Sequence, residues 1–421
     1  MNLLFRRVVQ IRGPWMHSRS NNTLVNLRML QARDKNPNKH MRVLFFGNDA
    51  YSLEILKALT TSYDSDDGIV KNIRLVCPTP LYTNDRRKKV VWKSLVNEHA
   101  DHFALPVSHV GNKHEMSRWD LPDRDNRYDI AVVAGFDWTL PAELASKFPL
   151  GILSVHPSLL PKLRGADPVM NAMITKFTVV GVTVCKYDFE GNDSGDILAQ
   201  LPYEIPKGYR REEIYRDLGY IGGNLLVKCL EHIKPVLKAA QKQNPKFITY
   251  TREYSDKICK IEWETMTAHD IVERYRATQG KIPMYSIWRM KTIMSKVFIY
   301  DMYVADPSIP PLEKNFLKYP PGSLFFKRKV QYLEVPCIDG SRLHITRLGR
   351  EGRTIMTALQ FVNGYLRVSG ALRMLTSPVQ PKLLTPPFVY PKGYVKPELD
   401  QVYKPNESDE VYAPKYLVPL D

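Results

Sequence analysis

Apolar stretches closed by glycine or proline organise the first half of the chain. Met41-Arg-Val-Leu-Phe-Phe46 runs into Gly47, Ile69 to Val76 into Cys77-Pro-Thr-Pro80, and Ile130-Ala-Val-Val-Ala134 into Gly135. The last has no polar residue, the mark of a strand buried on both faces. Gly151-Ile-Leu-Ser-Val155 is a shorter strand that delivers His156 to its carboxyl end, and Thr183-Val-Cys-Lys-Tyr187 is another. Around these strands the apolar period lengthens to that of a helix. Leu53 to Leu59 follows the first strand. From Arg211 to about Lys234, Ile214, Leu218, Ile221, Leu225 and Cys229 recur on one side, ending before Pro235. Strands alternating with helices predict an α/β domain on a parallel-rich sheet over 41–237.

Residues 238–250 are polar and read as a linker. Beyond them the pattern changes. Thr267-Ala-His-Asp opens a helix whose Ile271, Val272 and Tyr275 face inward and which Gly280 ends. Ser295–Met302, Pro321–Phe326, Val330–Val335 and Leu343–Leu348 are short, β-branched or aromatic, and interrupted by Pro and Gly. Strands of this kind build a small β-barrel, expected over 251–370. From 371 to 421 proline and tyrosine take over, which predicts an extended, weakly packed tail.

Residues 1–40 hold eight Lys/Arg and one acid, Asp34, beside a stripe of Leu3, Leu4, Phe5, Val8, Val9 and Ile11. That is the profile of a mitochondrial transit peptide, with the matrix as the expected destination. A disordered basic arm is the plainer alternative.

A chain of 421 residues carries two cores comfortably. No apolar run approaches the ~18 residues that cross a bilayer. The five cysteines include no Cys-x-x-Cys pair, which argues against a disulfide framework and against a zinc site. The net charge is +16, and residues 251–370 carry 19 Lys/Arg against 12 Asp/Glu. Such a balance points to a polyanionic partner rather than a membrane. Two basic clusters stand out: Arg86-Arg87-Lys88-Lys89, and Lys327-Arg328-Lys329 with Arg342, Arg347, Arg350 and Arg353 near the barrel strands. A solvated face or a guarded sheet edge has the same composition. Two basic sites on one chain favour RNA.

Gly47-Asn-Asp lacks the second and third glycines of a dinucleotide fingerprint, so no nicotinamide cofactor is implied. The richest stretch is Ser154-Val-His-Pro-Ser-Leu-Leu-Pro-Lys-Leu-Arg-Gly-Ala-Asp-Pro168. Its prolines at 157 and 161 keep the chain extended. Asp167 can cap the next helix, with Pro168 at its first position. Gly191-Asn-Asp-Ser-Gly-Asp196 is a polar, glycine-bounded loop. Ligands of open α/β sheets sit outside the carboxyl ends of the strands, and His156 and Asp193 both land there. Taken singly, His156 could equally bond a backbone carbonyl, and Asp193 could cap its own turn.

Val-His ahead of Ser-Leu-Leu-Pro, then Arg-Gly-Ala, then Asp-Ser-Gly-Asp, resembles the signature of folate-dependent formyltransferases. The version Leu-Leu-Pro-Lys-x-Arg-Gly-Ala looks like that of the members acting on methionyl-tRNA, and the likeness runs from Met41 to about Leu366. The resemblance implies a Rossmann-like formyltransferase domain followed by an OB-like barrel. It implies 10-formyltetrahydrofolate as co-substrate, with no metal, and initiator methionyl-tRNA as acceptor; a monomer is expected. It makes His156 and Asp193 catalytic, with Ser154 standing where the family has an asparagine. It gives the folate to Ala134, Gly135 and Phe136 and to Ser158, Leu159, Leu160 and Pro161. It gives the tRNA acceptor arm to the loop with Arg86, Arg87, Lys88 and Lys89. The barrel's Lys327, Arg328 and Lys329 are expected to add a second RNA contact.

Formyl transfer from a folate nitrogen to an amine passes through a tetrahedral carbon bearing an oxyanion. It needs a donor aimed at that oxygen and a group to manage the amine's proton. An α-amine ordinarily titrates near ~7.7–8.0, so orientation and oxyanion stabilisation outweigh raw basicity. His156 suits the oxyanion, and Asp193 would hold its ring in one tautomer. The Ser154 hydroxyl is shorter than an asparagine amide, and Asn171 and Asn192 are the nearby amides that could stand in. Arg164 could meet an anion or pair with an acid. The alternatives are the same chemistry on a sugar amine or a glycinamide nucleotide, hydrolysis of formyl-folate, or a folate- or tRNA-binding protein without turnover.

Overall fold

The computed structural model describes residues 40–65, 68–82, 90–121, 127–251, 256–279, 283–290, 293–327, 329–366 and 374–375. Residues 1–39 of the expected transit peptide, Arg86, Arg87, Lys88, Lys89, Arg328 and nearly all of the tail lie outside these. The chain divides after Arg252 into two compact units.

The first unit opens with β1 (Met41–Phe46), whose side chains are almost all buried. Asp49 then caps α1 (Ala50–Asp64) by accepting from the Ser52 N–H at 2.9 Å, while Ser52 Oγ accepts from the Asp49 N–H. There follow β2 (Val70–Pro78), a short hairpin of β3 (Leu81–Tyr82) and β4 (Val90–Trp92), α2 (Leu95–His102), β5 (Val107–Val110) and α3 (Lys113–Met116). Next come β6 (Ile130–Val133), β7 (Ile152–His156), α4 (Pro168–Ile174), β8 (Val179–Lys186), β9 (Ile197–Glu204) and α5 (Arg211–Glu231). The sheet order is β5-β2-β1-β6-β7-β8-β9. Pairing is parallel from β5 through β7, as the alternation of elements predicted, and antiparallel from β7 to β9. The order reverses between β1 and β6, so the unit's natural ligand crevice lies beyond the carboxyl ends of β1, β6 and β7.

The helix expected to run from Arg211 to Lys234 breaks at His232. A separate short helix, α6 (Ile233–Lys238), follows. Pro235 lies in the first turn of α6, where a backbone N–H has no intrahelical partner to lose. The stretch expected as a linker runs along this same unit. Gln241 exchanges both backbone hydrogen bonds with Ile197, and Thr249 to Thr251 bonds to Pro161, Leu163 and Arg164.

The second unit contains α7 (Ala268–Thr278), β10 (Met284–Met290), β11 (Ile293–Val304), β12 (Leu333–Pro336), β13 (Arg342–Arg350), β14 (Met356–Thr357), α8 (Ala358–Phe361) and β15 (Met374–Leu375). Its antiparallel sheet has the order β12-β13-β11-β10-β15, with β14 on β13, and curls around a core that includes Trp263, Trp288, Ile299, Leu343 and Phe361. Thr267 caps α7 as its spacing predicted, but the helix stops at Thr278; Gly280 is outside the described residues. Within residues 321–326, Ser323 and Phe325 are isolated bridge residues, Phe325 opposite Glu334, and no strand forms. The Pro320-Pro321-Gly322 sequence keeps that segment irregular. Met374, within the stretch expected to be a loose tail, is fully buried and pairs with Trp288.

All five cysteines are buried and free. Among the described residues no helix is long and apolar enough to cross a membrane, and no cluster of His, Cys, Asp and Glu could hold a metal ion.

Candidate active site

His156 is the last residue of β7 and is 7% exposed. Its Nδ1 lies 3.6 Å from Asp193 Oδ1, an ion-pair distance just beyond hydrogen-bonding range. Its Nε2 lies 3.3 Å from the Leu163 carbonyl, at the long end for a hydrogen bond. Each ring nitrogen therefore faces an acceptor. The bond to Leu163 is weak enough for a substrate oxygen to replace.

Asp193 is delivered by the loop between β8 and β9, and its own backbone sits in the left-handed region at φ +50°. The turn is capped by a different aspartate. Asp188 accepts from the N–H groups of Glu190, Asn192 and Ser194 and from the Ser194 hydroxyl. Burial pushes the Asp188 carboxyl up, but those bonds outweigh it and hold it below the usual carboxylate range. With the turn satisfied by Asp188, the Asp193 carboxylate is left to face His156. Its other oxygen, Oδ2, accepts from the Gly165 N–H at 2.8 Å.

Ser154 lies two residues before His156 on β7, so both side chains leave the same face. That face continues onto β8, where Ser154 pairs with Cys185 and His156 with Thr183. Asn171 donates to the Asp167 carbonyl, and Asn192 reaches Glu190.

The turn 158–161, with a cis Leu160–Pro161 bond, is held from beneath. The Thr183 hydroxyl donates to the Ser158 carbonyl at 2.6 Å and accepts from the Leu160 N–H and from Gln200, whose amide also donates to the Leu160 carbonyl. Ser158 Oγ donates to the Lys162 carbonyl, and Leu159 packs against Gly181. Ala134 and Gly135 leave β6 beside this turn, because β6 and β7 pair in parallel with Val133 opposite Ser154. Gly135 adopts φ +52°, and a Cβ there would sit 2.2 Å from Asp49 Oδ1. The glycine is thus required by its own backbone and by Asp49. Phe136 packs edge-on against Phe46 and Trp138.

One expectation changes here. Asp167 stands at the cap position of α4 but makes no side-chain cap, since its backbone is left-handed. Its carboxylate is held by Arg211 Nη1 at 3.1 Å and the Tyr215 hydroxyl at 2.9 Å, which tie α5 to the 164–168 turn. Arg164 pairs with no acid among the described residues. It donates to Gln243 Oε1 from Nε at 3.1 Å and from Nη2 at 2.7 Å. The Gln243 amide in turn donates to the carbonyls of Asp193 and Gly195. Sequence reasoning missed Gln243, Asp188 and Gln200.

In the second unit Lys327 and Lys329 are exposed, as are Arg347 and Arg353. Arg342 is not part of a basic face. It is buried, donates to Glu334 at 2.9 Å, and with Nη2 holds the carbonyls of Asp306 and Ile309. Glu334 also pairs with His344 at 3.0 Å.

Residues 42–230 match the Formyl transferase family and residues 255–366 match Formyl transferase, C-terminal domain. The chain is 30% identical over 342 residues to the mitochondrial methionyl-tRNA formyltransferase of Homo sapiens, covering 80% of each chain. The chain belongs to the methionyl-tRNA formyltransferase family. A bacterial member of that family, from Caldicellulosiruptor saccharolyticus, is 28% identical over 329 residues, with 77% of this chain and 97% of the relative covered. The fold also resembles that of HypX from Aquifex aeolicus in complex with tetrahydrofolic acid, at a TM-score of 0.50 and 14% identity over 78% of this chain and 48% of HypX. The family's two domains correspond to the two units, and the His156–Asp193 pair lies within the first matched region.

Proposed function

We propose that this chain transfers the formyl group of 10-formyltetrahydrofolate to the α-amine of initiator methionyl-tRNA in the mitochondrial matrix. The approach of His156 to Asp193 at 3.6 Å carries the reading, because it assembles a donor and a carboxylate at a strand end in a chain of this family. Mitochondrial relatives support the location.

The folate supplies the carbon and its oxygen. A bond forms between the amine nitrogen and the formyl carbon, the carbon's bond to the folate nitrogen breaks, and one proton passes from the amine to that nitrogen. His156 turns Nε2 from the Leu163 carbonyl to the formyl oxygen and stabilises the charge that develops there. Asp193 holds the ring through Nδ1 and fixes which nitrogen presents its proton. Ser154, on the same face, supplies a second donor directly or through a water. The two backbone segments assigned to the folate, Ala134–Phe136 and Ser158–Pro161, leave neighbouring parallel strands at their carboxyl ends, an arrangement that fits a flat, hydrogen-bonding pterin. Arg86, Arg87, Lys88 and Lys89, with Lys327, Arg328 and Lys329, meet tRNA phosphates, which position the RNA without reading its sequence. One copy of the chain suffices.

The purified chain, incubated with 10-formyltetrahydrofolate and methionine-charged initiator tRNA, should yield formyl-methionyl-tRNA at rates well above those with charged elongator tRNA. Formate release without acylated product would identify a hydrolase. No product at enzyme in excess over tRNA would end the proposal.

A further inference from the structure

We infer that Gln243 is a positioning residue for the formyl transfer, acting through Asp193; the inference rests on the reading of His156 and Asp193 given above. Asp193 must hold its carboxylate toward His156 from a left-handed backbone, a conformation that non-glycine residues adopt reluctantly. Asp188 braces the N–H side of that loop, but not its carbonyl side. There the Gln243 amide straddles Ser194 and donates to the Asp193 carbonyl at 2.7 Å and to the Gly195 carbonyl at 2.9 Å.

The same side chain reaches the other support of Asp193. Gln243 Oε1 takes both hydrogen bonds from Arg164, and Arg164 precedes Gly165, whose N–H holds Asp193 Oδ2. The result is a closed ring: Asp193 carboxylate, Gly165, Arg164, Gln243, Asp193 carbonyl. Both donors and both acceptor positions of the amide are used, so Gln243 has one orientation. Its backbone is fixed on either side, by the Gln241–Ile197 pair and by the bonds of Thr249 and Thr251 to residues 161–164. A glutamine serves here because a carbonyl pair needs N–H donors while a buried arginine needs an acceptor; neither a carboxylate nor an ammonium offers both.

Gln243→Met keeps the length and removes all four bonds. It should lower kcat roughly 10- to 100-fold, as expected for a catalytic group displaced by about an ångström, while KM for folate and for tRNA stays within about threefold. Gln243→Glu keeps the acceptor for Arg164 and turns an oxygen toward the two carbonyls, so it should lose kcat while KM for both substrates stays within about threefold. In an Asp193→Ala background, Gln243→Met should slow the reaction no further. Additive losses, or wild-type kcat in Gln243→Glu, would overturn the inference. Wild-type kcat in Asp193→Ala alone would instead overturn the catalytic reading, and the inference with it.

Discussion

Replacing Gly165 by alanine tests whether the 164–168 turn aligns the Asp193 carboxylate for the proposed reaction. Gly165 has φ +101°, and an added Cβ would lie 2.7 Å from Thr251 Oγ1. The Thr251 hydroxyl can swing aside, so the backbone decides the outcome. Holding alanine at that φ costs about 1–3 kcal/mol, part of which the turn relieves by rotating. Rotation carries away the N–H that holds Asp193 Oδ2 at 2.8 Å. A hydrogen bond to a charged group is worth about 1.5–3 kcal/mol. If all of it is lost from the aligned state, kcat falls about 10- to 150-fold. Initial rates of formyl-methionyl-tRNA formation, with each substrate varied, should show this loss with KM for tRNA within about threefold. The melting temperature should fall by roughly 2–12 °C from the backbone strain. A fall in melting temperature with kcat within twofold of wild type would show that the turn does not transmit to Asp193.

Ser154→Asn should leave kcat equal or raise it, up to the ~10²–10³-fold that one oxyanion donor supplies. A drop of that size would show that the serine has a role of its own. Asp167→Ala strips the buried Arg211 of its carboxylate, and breaking such a pair costs about 3–5 kcal/mol, or roughly 6–20 °C of melting temperature. An unchanged melting curve would contradict the tie between α5 and the turn. In the second unit, burial pushes the Glu334 carboxyl up, but bonds from His344, the Leu312 N–H and Arg342 hold it below its ordinary value. Its stabilisation is therefore complete above about 4.3 and is lost as pH falls through the lower folded value. Glu334→Gln should flatten that part of the stability–pH curve, as read by thermal melts from pH 5 downward. The same acid slope in the variant would contradict the assignment.

The parallel strands were legible because burial on both faces leaves an unbroken apolar run, as in β6, and because the stop at His156 coincides with a proline. The convergence of His156 and Asp193 was legible only through the spacing of the motif, since neither residue alone distinguishes a catalytic role from a cap. Which aspartate caps the loop was not legible: Asp188 and Asp193 are chemically alike, and the backbone path selects between them. Gln243 was hidden for a different reason. A polar stretch has the same composition whether it is solvated or folded onto a loop whose carbonyls need donors. Arg342 shows the reverse error, because basic residues on barrel strands look alike until one of them finds a buried Glu334. β10 was missed because Met284, Tyr285, Ser286 and Trp288 are all buried, which erases the alternation that marks a strand.

Single-turnover formylation of methionine-charged initiator tRNA by wild type, His156→Ala, Asp193→Ala and the double variant bears most directly on the His156–Asp193 pair as the seat of catalysis. Wild type should form formyl-methionyl-tRNA, each single variant should be slower by about 10²-fold or more, and the double variant should be little slower than the worse single. A wild-type rate in His156→Ala, or losses that simply multiply in the double variant, would contradict it.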